Sequence, residues 1–176
     1  MLSLFQERGL IISDAYQTRL DVIQPGGGGV RVAGQDYRGD AGPEEAWEAL
    51  SKEKGAALVD VRTAAEWNYV GMPDLSAAGA PLLRVEWQMF PSGAINPAFV
   101  DTLDTALREA GSGRDAPIFF ICRSGARSAA AAAAMTAAGY SRCYNLAGGF
   151  EGPRDAEGHR GTLEGWKAAN LPWVQS

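Results

Sequence analysis

Residues 117–139 read PIFFICRSGARSAAAAAAMTAAG, and three kinds of sequence follow one another along them. Pro117 to Ile121 is a short apolar run, the pattern of a strand buried on both faces. Cys122 to Arg127, CRSGAR, is short and polar and contains Gly125. From Arg127 or Ser128 the chain is almost wholly alanine up to Gly139. Alanine is the best helix former, and a glycine suits the position just past a helix C-terminus. The stretch predicts a strand, a tight loop and a helix, with Cys122 opening the loop.

That order has chemical consequences. The first turn of a helix carries unpaired N–H groups and the positive end of its dipole. A loop wrapped onto that end forms a nest of N–H groups that receives an anion. Arg123 and Arg127 add two positive charges. Both features favour a thiolate over a thiol, so Cys122 is expected to be a nucleophile. Gly125 is expected to supply the positive φ or close backbone approach that such a loop needs.

Outward from this unit the chain alternates between helix and strand patterns. Pro43, Glu44 and Glu45 suit a helix start, Ala46, Trp47 and Leu50 give one apolar face, and Gly55 ends the element. Ala56 to Val61 reads as a buried strand. Thr63 and Glu66 form a T-x-x-E capping box opening a short helix with Trp67, so Glu66 is read as a cap rather than an acid catalyst. Residues 71–80 read as a loop and Pro81 to Trp87 as a third strand. Asn96-Pro97 begins a helix with Phe99, Leu103 and Leu107 on one face. Tyr140 to Leu146 is a strand ending in Gly148-Gly149, and Thr162 to Asn170 reads as a last helix with Leu163 and Trp166 buried. Strands alternating with helices imply an α/β fold, a small open, mainly parallel sheet flanked by helices. The carboxyl ends of its strands gather Asp60, Arg62, Cys122 and Gly148 at one edge, where ligands bind in such sheets. For Asp60 and Arg62 a structural ion pair and a substrate contact are both open. Trp87 and Phe90 read as core more readily than as pocket lining. His159, the one histidine, lies in a polar loop without a partner pattern, which favours a surface or pocket-rim position over a base. Cys143 begins its strand where Cys122 ends its own, so the two thiols are expected at opposite edges of the sheet, with Cys143 buried and inert.

The strand, CRSGARS loop and helix, with LVDVRTAAEW at 58–67 and the final LPW, resemble a rhodanese, a sulfurtransferase family. The resemblance spans roughly residues 42–173 and implies a three-layer α/β domain over 41–174. It implies Cys122 as the persulfide cysteine, Arg123, Ser124, Gly125, Ala126, Arg127 and Ser128 as its cradle, and Asp60 and Arg62 as supporting residues. It further implies a small sulfur-containing anion such as thiosulfate as donor, a thiol, cyanide or protein as acceptor, and no cofactor. Met72-Pro73-Asp74-Leu75 stands where the family often has a Gly-His-Ile type segment, which is expected to change the pocket wall. Cysteine phosphatases and arsenate reductases share a related cradle but hold one residue more between cysteine and arginine, and no carboxylate lies within the present loop to serve as their acid. A noncatalytic interaction module is a third reading, disfavoured because inactive relatives typically lack the cysteine.

Composition bounds these readings. The chain has 176 residues, 46% of them hydrophobic, enough for one globular domain. A net charge of −5 disfavours nonspecific nucleic-acid binding and makes the positive charge near Cys122 local. Two cysteines do not make a disulfide scaffold. No apolar run approaches a membrane span, the N-terminus lacks the form of a standard signal peptide, and no His/Cys/Asp cluster has metal spacing. A cytoplasmic protein is expected. Residues 1–40 read as an N-terminal extension with a linker at Gly26 to Gly29, where no Gly-Lys-Ser/Thr follows to make a phosphate loop. Arg38-Gly39-Asp40 is read as a chance tripeptide.

Overall fold

In the computed structural model, residues 36–175 are described. The Gly26–Gly29 linker and most of the N-terminal extension lie outside them.

The first strand, β1 (Gly39–Ala41), straddles the boundary expected at residue 41: Gly39 and Asp40 are part of the sheet, and the Arg38 N–H bonds the Cys143 carbonyl at 2.9 Å. Arg38 thus leads into an edge strand that Gly39 and Asp40 help to form. Helix α1 (Pro43–Lys52) follows, with proline in its first turn and two glutamates at its positive end. Strand β2 (Ala57–Asp60) leads to α2 (Ala64–Val70), opened by the expected Thr63–Glu66 capping box. Then come β3 (Met72–Pro73), β4 (Leu82–Arg84), α3 (Phe99–Glu109), β5 (Ile118–Ile121), α4 (Ala126–Ala137), β6 (Cys143–Leu146) and β7 (Trp173–Val174).

Five strands form one sheet in the order β1-β6-β5-β2-β4, every pair parallel. The central strand β5 is buried on both faces, which is why its sequence is continuously apolar. Alternation then divides its side chains. Ile118 and Phe120 join Ala57 and Val59 against Phe99, Leu103 and Leu107 of α3 and Ala131, Ala132 and Met135 of α4. Phe119 and Ile121 face the other way with Leu58 and Leu146, against Ala46 and Leu50 of α1, Phe150 and Trp166. Two apolar layers enclosing one sheet give the three-layer α/β architecture expected.

Three expectations are corrected. Residues 71–80 are not only a loop, because Met72 and Pro73 pair antiparallel with Val174 and Trp173 in a second small sheet. Asn96 does not cap α3 directly: its Oδ1 accepts the Ala98 N–H in a turn, and the helix starts at Phe99. The stretch from Thr162 to Asn170 is a series of bends and turns, not a helix. Trp166 is buried as expected, but Leu163 is exposed. The reason lies in Gly165, at φ +87°, where an added Cβ would meet the Gly149 carbonyl oxygen at 2.6 Å. The segment is pressed backbone to backbone on the turn after β6, with the Trp166 N–H on the Gly149 carbonyl at 2.8 Å, and a helix there would expel that contact.

Candidate active site

Cys122 follows β5 directly, at the carboxyl edge of the sheet. It is 2% exposed. The chain turns through Arg123 and Ser124, both exposed, to Gly125, which stands at φ +109° as the residue before α4. An added Cβ at Gly125 would meet only Asn145 Nδ2, at an ordinary 3.7 Å. The glycine is therefore needed for its left-handed backbone rather than for space. This turn brings two donors onto the sulfur: the Gly125 N–H at 3.1 Å and the Ser128 hydroxyl at 3.2 Å. Ser128 is completely buried. Helix α4 begins at Ala126, one to two residues earlier than the sequence pattern suggested.

The carbonyls of the loop are held away from the sulfur by the turn after β6. The Phe150 N–H bonds the Cys122 carbonyl at 2.8 Å, and the N–H groups of Glu151 and Gly152 bond the Arg123 carbonyl at 3.0 and 3.2 Å. Such close approach requires glycine: a Cβ on Gly149 would lie 2.5 Å from the Cys122 carbonyl oxygen and 2.7 Å from the Arg123 carbonyl carbon. With these two carbonyls committed to this turn, the loop turns the Gly125 N–H and the Ser128 hydroxyl onto the sulfur, the polarity that stabilises an anion there.

The two loop arginines differ. Arg127 lies bidentate on Glu66, and both side chains are about one-fifth exposed. Burial pushes the Glu66 carboxyl up, but hydrogen bonds from Arg127 and Thr63 together outweigh it and hold the group at about 2. Arg127 is shifted upward, first by its hydrogen bond to Glu66. Glu66 therefore caps α2 and also clamps the first turn of α4, a second task the sequence reading missed. Arg123 is exposed and makes no ion pair among the described residues. Of the two cations expected to be available to an anion, one is already countered.

Asp60 and Arg62 are both completely buried and form an ion pair: Arg62 Nε and Nη2 reach the carboxylate at 2.9 and 2.5 Å, and Nη2 also bonds the Gly71 carbonyl at 2.8 Å. The guanidinium lies 4.2 Å from the centre of the Phe150 ring. This is the structural alternative for the pair. It fixes the start of α2 and the turn at Gly71 behind the site.

A cleft of about 490 Å³ opens beside the loop, lined by Thr63, Ala65, Glu66, Val70, Gln88, Phe90, Arg123 and Arg127. Phe90 is 69% exposed and stands at this cleft, whereas Trp87 packs edge-on against Phe99 at 5.0 Å. The core reading thus holds for Trp87 and not for Phe90. Residues 71–80 contribute nothing to the lining, since their first residues are taken up by β7. His159 is exposed, and its backbone N–H donates to the Asp155 carboxylate at 2.7 Å. Cys143 is buried and paired in register with Ile118 at the far end of β5, and burial pushes its thiol up to about 11. Both cysteines are free. Among the described residues no cluster of His, Cys, Asp and Glu could hold a metal ion, and no helix is long and apolar enough to cross a membrane.

The rhodanese-like domain family model matches residues 42–155, from α1 through the turn that braces the Cys122 loop. The chain belongs to the rhodanese-like domain family. An uncharacterized protein of Rickettsia rickettsii, the RP600 homolog, is 39% identical over 129 residues, covering 73% of this chain and 91% of that one. The thiosulfate sulfurtransferase GlpE of Pseudomonas putida is 33% identical over 110 residues, 62% of this chain and 78% of that one. Among solved structures, Rv0390 from M. tuberculosis superposes with a TM-score of 0.69 at 47% identity, over 80% of this chain and all of that one. The rhodanese-like domain here thus has relatives both with and without an assigned activity.

Proposed function

We propose that this protein is a sulfurtransferase that carries a sulfane sulfur on Cys122. The observation that supports it is the pair of donors converging on the Cys122 sulfur, the Gly125 N–H and the Ser128 hydroxyl, in a loop whose Arg123 lines the adjoining cleft and makes no ion pair among the described residues. In the first half-reaction the thiolate attacks the sulfane sulfur of a donor such as thiosulfate. A new S–S bond forms, the donor's S–S bond breaks, and sulfite leaves with the electron pair. The persulfide anion lies in the N–H cradle, where fixed dipoles stabilise it without reorganising, while Arg123 orients the anionic donor. In the second half-reaction a cyanide, a thiolate or a thiol on a protein attacks the outer sulfur, and the Cys122 thiolate is released. No cofactor takes part. Two free cysteines and no disulfide suit a reducing, cytoplasmic setting.

A cysteine phosphatase or arsenate reductase is disfavoured by two features. Only four residues separate Cys122 from Arg127. The one carboxylic acid lining the cleft, Glu66, is held at about 2 and has no proton to give a leaving group at neutral pH. The deciding experiment is intact mass after incubation with thiosulfate. One added sulfur atom, located on Cys122, is expected in the native protein and lost in Cys122→Ser. A protein that gains no sulfur, or a C122S variant that still forms thiocyanate from cyanide, would sink the assignment.

A further inference from the structure

Ser128 has one hydroxyl proton and three acceptors within reach of it: Cys122 Sγ at 3.2 Å, the Gly125 carbonyl at 3.0 Å and Asn145 Oδ1 at 2.7 Å. Which acceptor takes it is set further along. Asp40, on the edge strand β1, offers only acceptors as a carboxylate. Its Oδ1 receives Asn145 Nδ2 at 3.0 Å and the Tyr37 hydroxyl at 2.9 Å. Asn145 must then turn its amide nitrogen to Asp40 and its oxygen to Ser128. A chain of hydrogen bonds thus runs from exposed Asp40, through Asn145 and Ser128, both nearly or fully buried, to the sulfur.

We propose that Asn145, oriented by Asp40, is a positioning residue for the nucleophile: it holds the Ser128 hydroxyl proton while Cys122 is a thiol and yields it to the sulfur when the thiolate forms. In the thiol state the S–H donates to Ser128 Oγ, and the hydroxyl donates to Asn145 Oδ1. When the sulfur loses its proton to solvent, the hydroxyl rotates about its C–O bond with its proton still on Oγ. The thiolate gains a second donor beside the Gly125 N–H, and Asn145 Oδ1 loses one. Asn145 therefore competes with the thiolate for a single proton, and this competition tunes how readily Cys122 ionises. The other charges facing the site are Arg123 and Arg127 from the loop and α4, Glu66 from α2 on Arg127, and the Asp60–Arg62 pair from the end of β2, with Tyr37 beside Asp40. All remain in the variants below. The bearing of this chain on turnover rests on the sulfurtransferase reading, but its test does not.

The test is the rate of Cys122 alkylation by iodoacetamide as a function of pH, on the full chain, with the site resolved by mass spectrometry. Asp40→Asn keeps the shape and removes the demand on the Asn145 nitrogen, so the amide can turn over and free the hydroxyl for the sulfur. Asn145→Ala removes the competitor without changing charge. In both, the midpoint of the profile is expected to move down by about 0.5–1 unit, the scale of one modest hydrogen bond. Asp40→Asn also removes a charge, so it is repeated in a Ser128→Ala background, where the shift is expected to shrink to the part that the charge alone supplies. Midpoints unmoved in both single variants, or an undiminished Asp40→Asn shift without the hydroxyl, would overturn the proposal. Shifts of the expected kind in a protein that takes no sulfur from thiosulfate would leave it standing and remove the proposed activity instead.

Discussion

The Arg127 guanidinium grips the Glu66 carboxylate with both terminal nitrogens, at 2.8 and 2.7 Å, tying α4 to α2 across 61 residues of sequence. The Glu66 carboxyl lies near 2 in the folded protein against 4.5 as its free value. Its folded value is depressed, so its contribution is present above about pH 4.5 and fades as the pH falls toward 2. After allowing for solvent screening of a partly exposed pair, about 1–2 kcal/mol is at stake. Glu66→Gln should lower the melting temperature at pH 7, and the gap to the native protein should narrow from pH 5 to pH 3. A gap of constant size over that range would show that the pair carries no such weight.

The same clamp makes Arg123 the cation available to a donor. Arg123→Ala should raise KM for thiosulfate roughly fivefold at low ionic strength, corresponding to about 1 kcal/mol of attraction in water. The difference should shrink at high salt, where screening removes the same attraction. Glu66→Gln, which uncovers Arg127, should lower KM under the same conditions. Equal KM values for the native protein and Arg123→Ala at every salt concentration would remove Arg123 from donor recruitment.

Asp60→Asn leaves the Arg62 charge buried without its counter-charge. Loss of one partner of a buried pair costs about 3–5 kcal/mol. Denaturant unfolding should show a loss of that size. A loss below about 1 kcal/mol, the scale of an exposed pair, would contradict the burial described.

Gly149→Ala places a methyl group against the Cys122 carbonyl, 2.5 Å away before relaxation. The loop and the turn must separate, which disturbs the cradle more than the core. Sulfur loading from thiosulfate should fall at least tenfold while the melting temperature drops by only a few degrees. Native loading rates in this variant would show that the turn does not set the loop.

Cys143 gives a test of sheet topology. Its thiol is raised to about 11 by burial, from an ordinary 9.0. A raised value favours the neutral form, so its contribution is complete below about pH 9 and is lost as the pH rises through 11. In folded protein at pH 8, iodoacetamide should label Cys122 and spare Cys143 until denaturant is added. A disulfide between the two cysteines in native protein would contradict the register that sets Cys143 beside Ile118.

What the sequence reveals here is what depends on neighbours along the chain. Apolar runs such as IFFI, the Thr63–Glu66 box and the glycine at 125 each act within a few residues, and the sheet, the cap and the turn followed from them. What it hides depends on residues far apart. Nothing near Arg127 announces Glu66 as its partner, and nothing near Asn145 announces Asp40, 105 positions away. A polar residue inside the apolar strand CYNL was the available hint, since a buried amide needs partners. The residues from Thr162 to Asn170 misled for the opposite reason. Their helical spacing is genuine, but the close seat on Gly148 and Gly149 overrides it.

Among the described residues the edge strand carrying Asp40 pairs only with β6, and the turn after β6 is itself backed by Gly165. During synthesis Cys122 is therefore made before the segments that surround it. The strand made first must wait for Tyr144 to Leu146 before it finds its neighbour. The brace must wait about twenty residues more, roughly one to four seconds at ordinary elongation rates. Until both have arrived, the Cys122 carbonyl has no Phe150 N–H to hold it and the loop around the thiol lacks its brace.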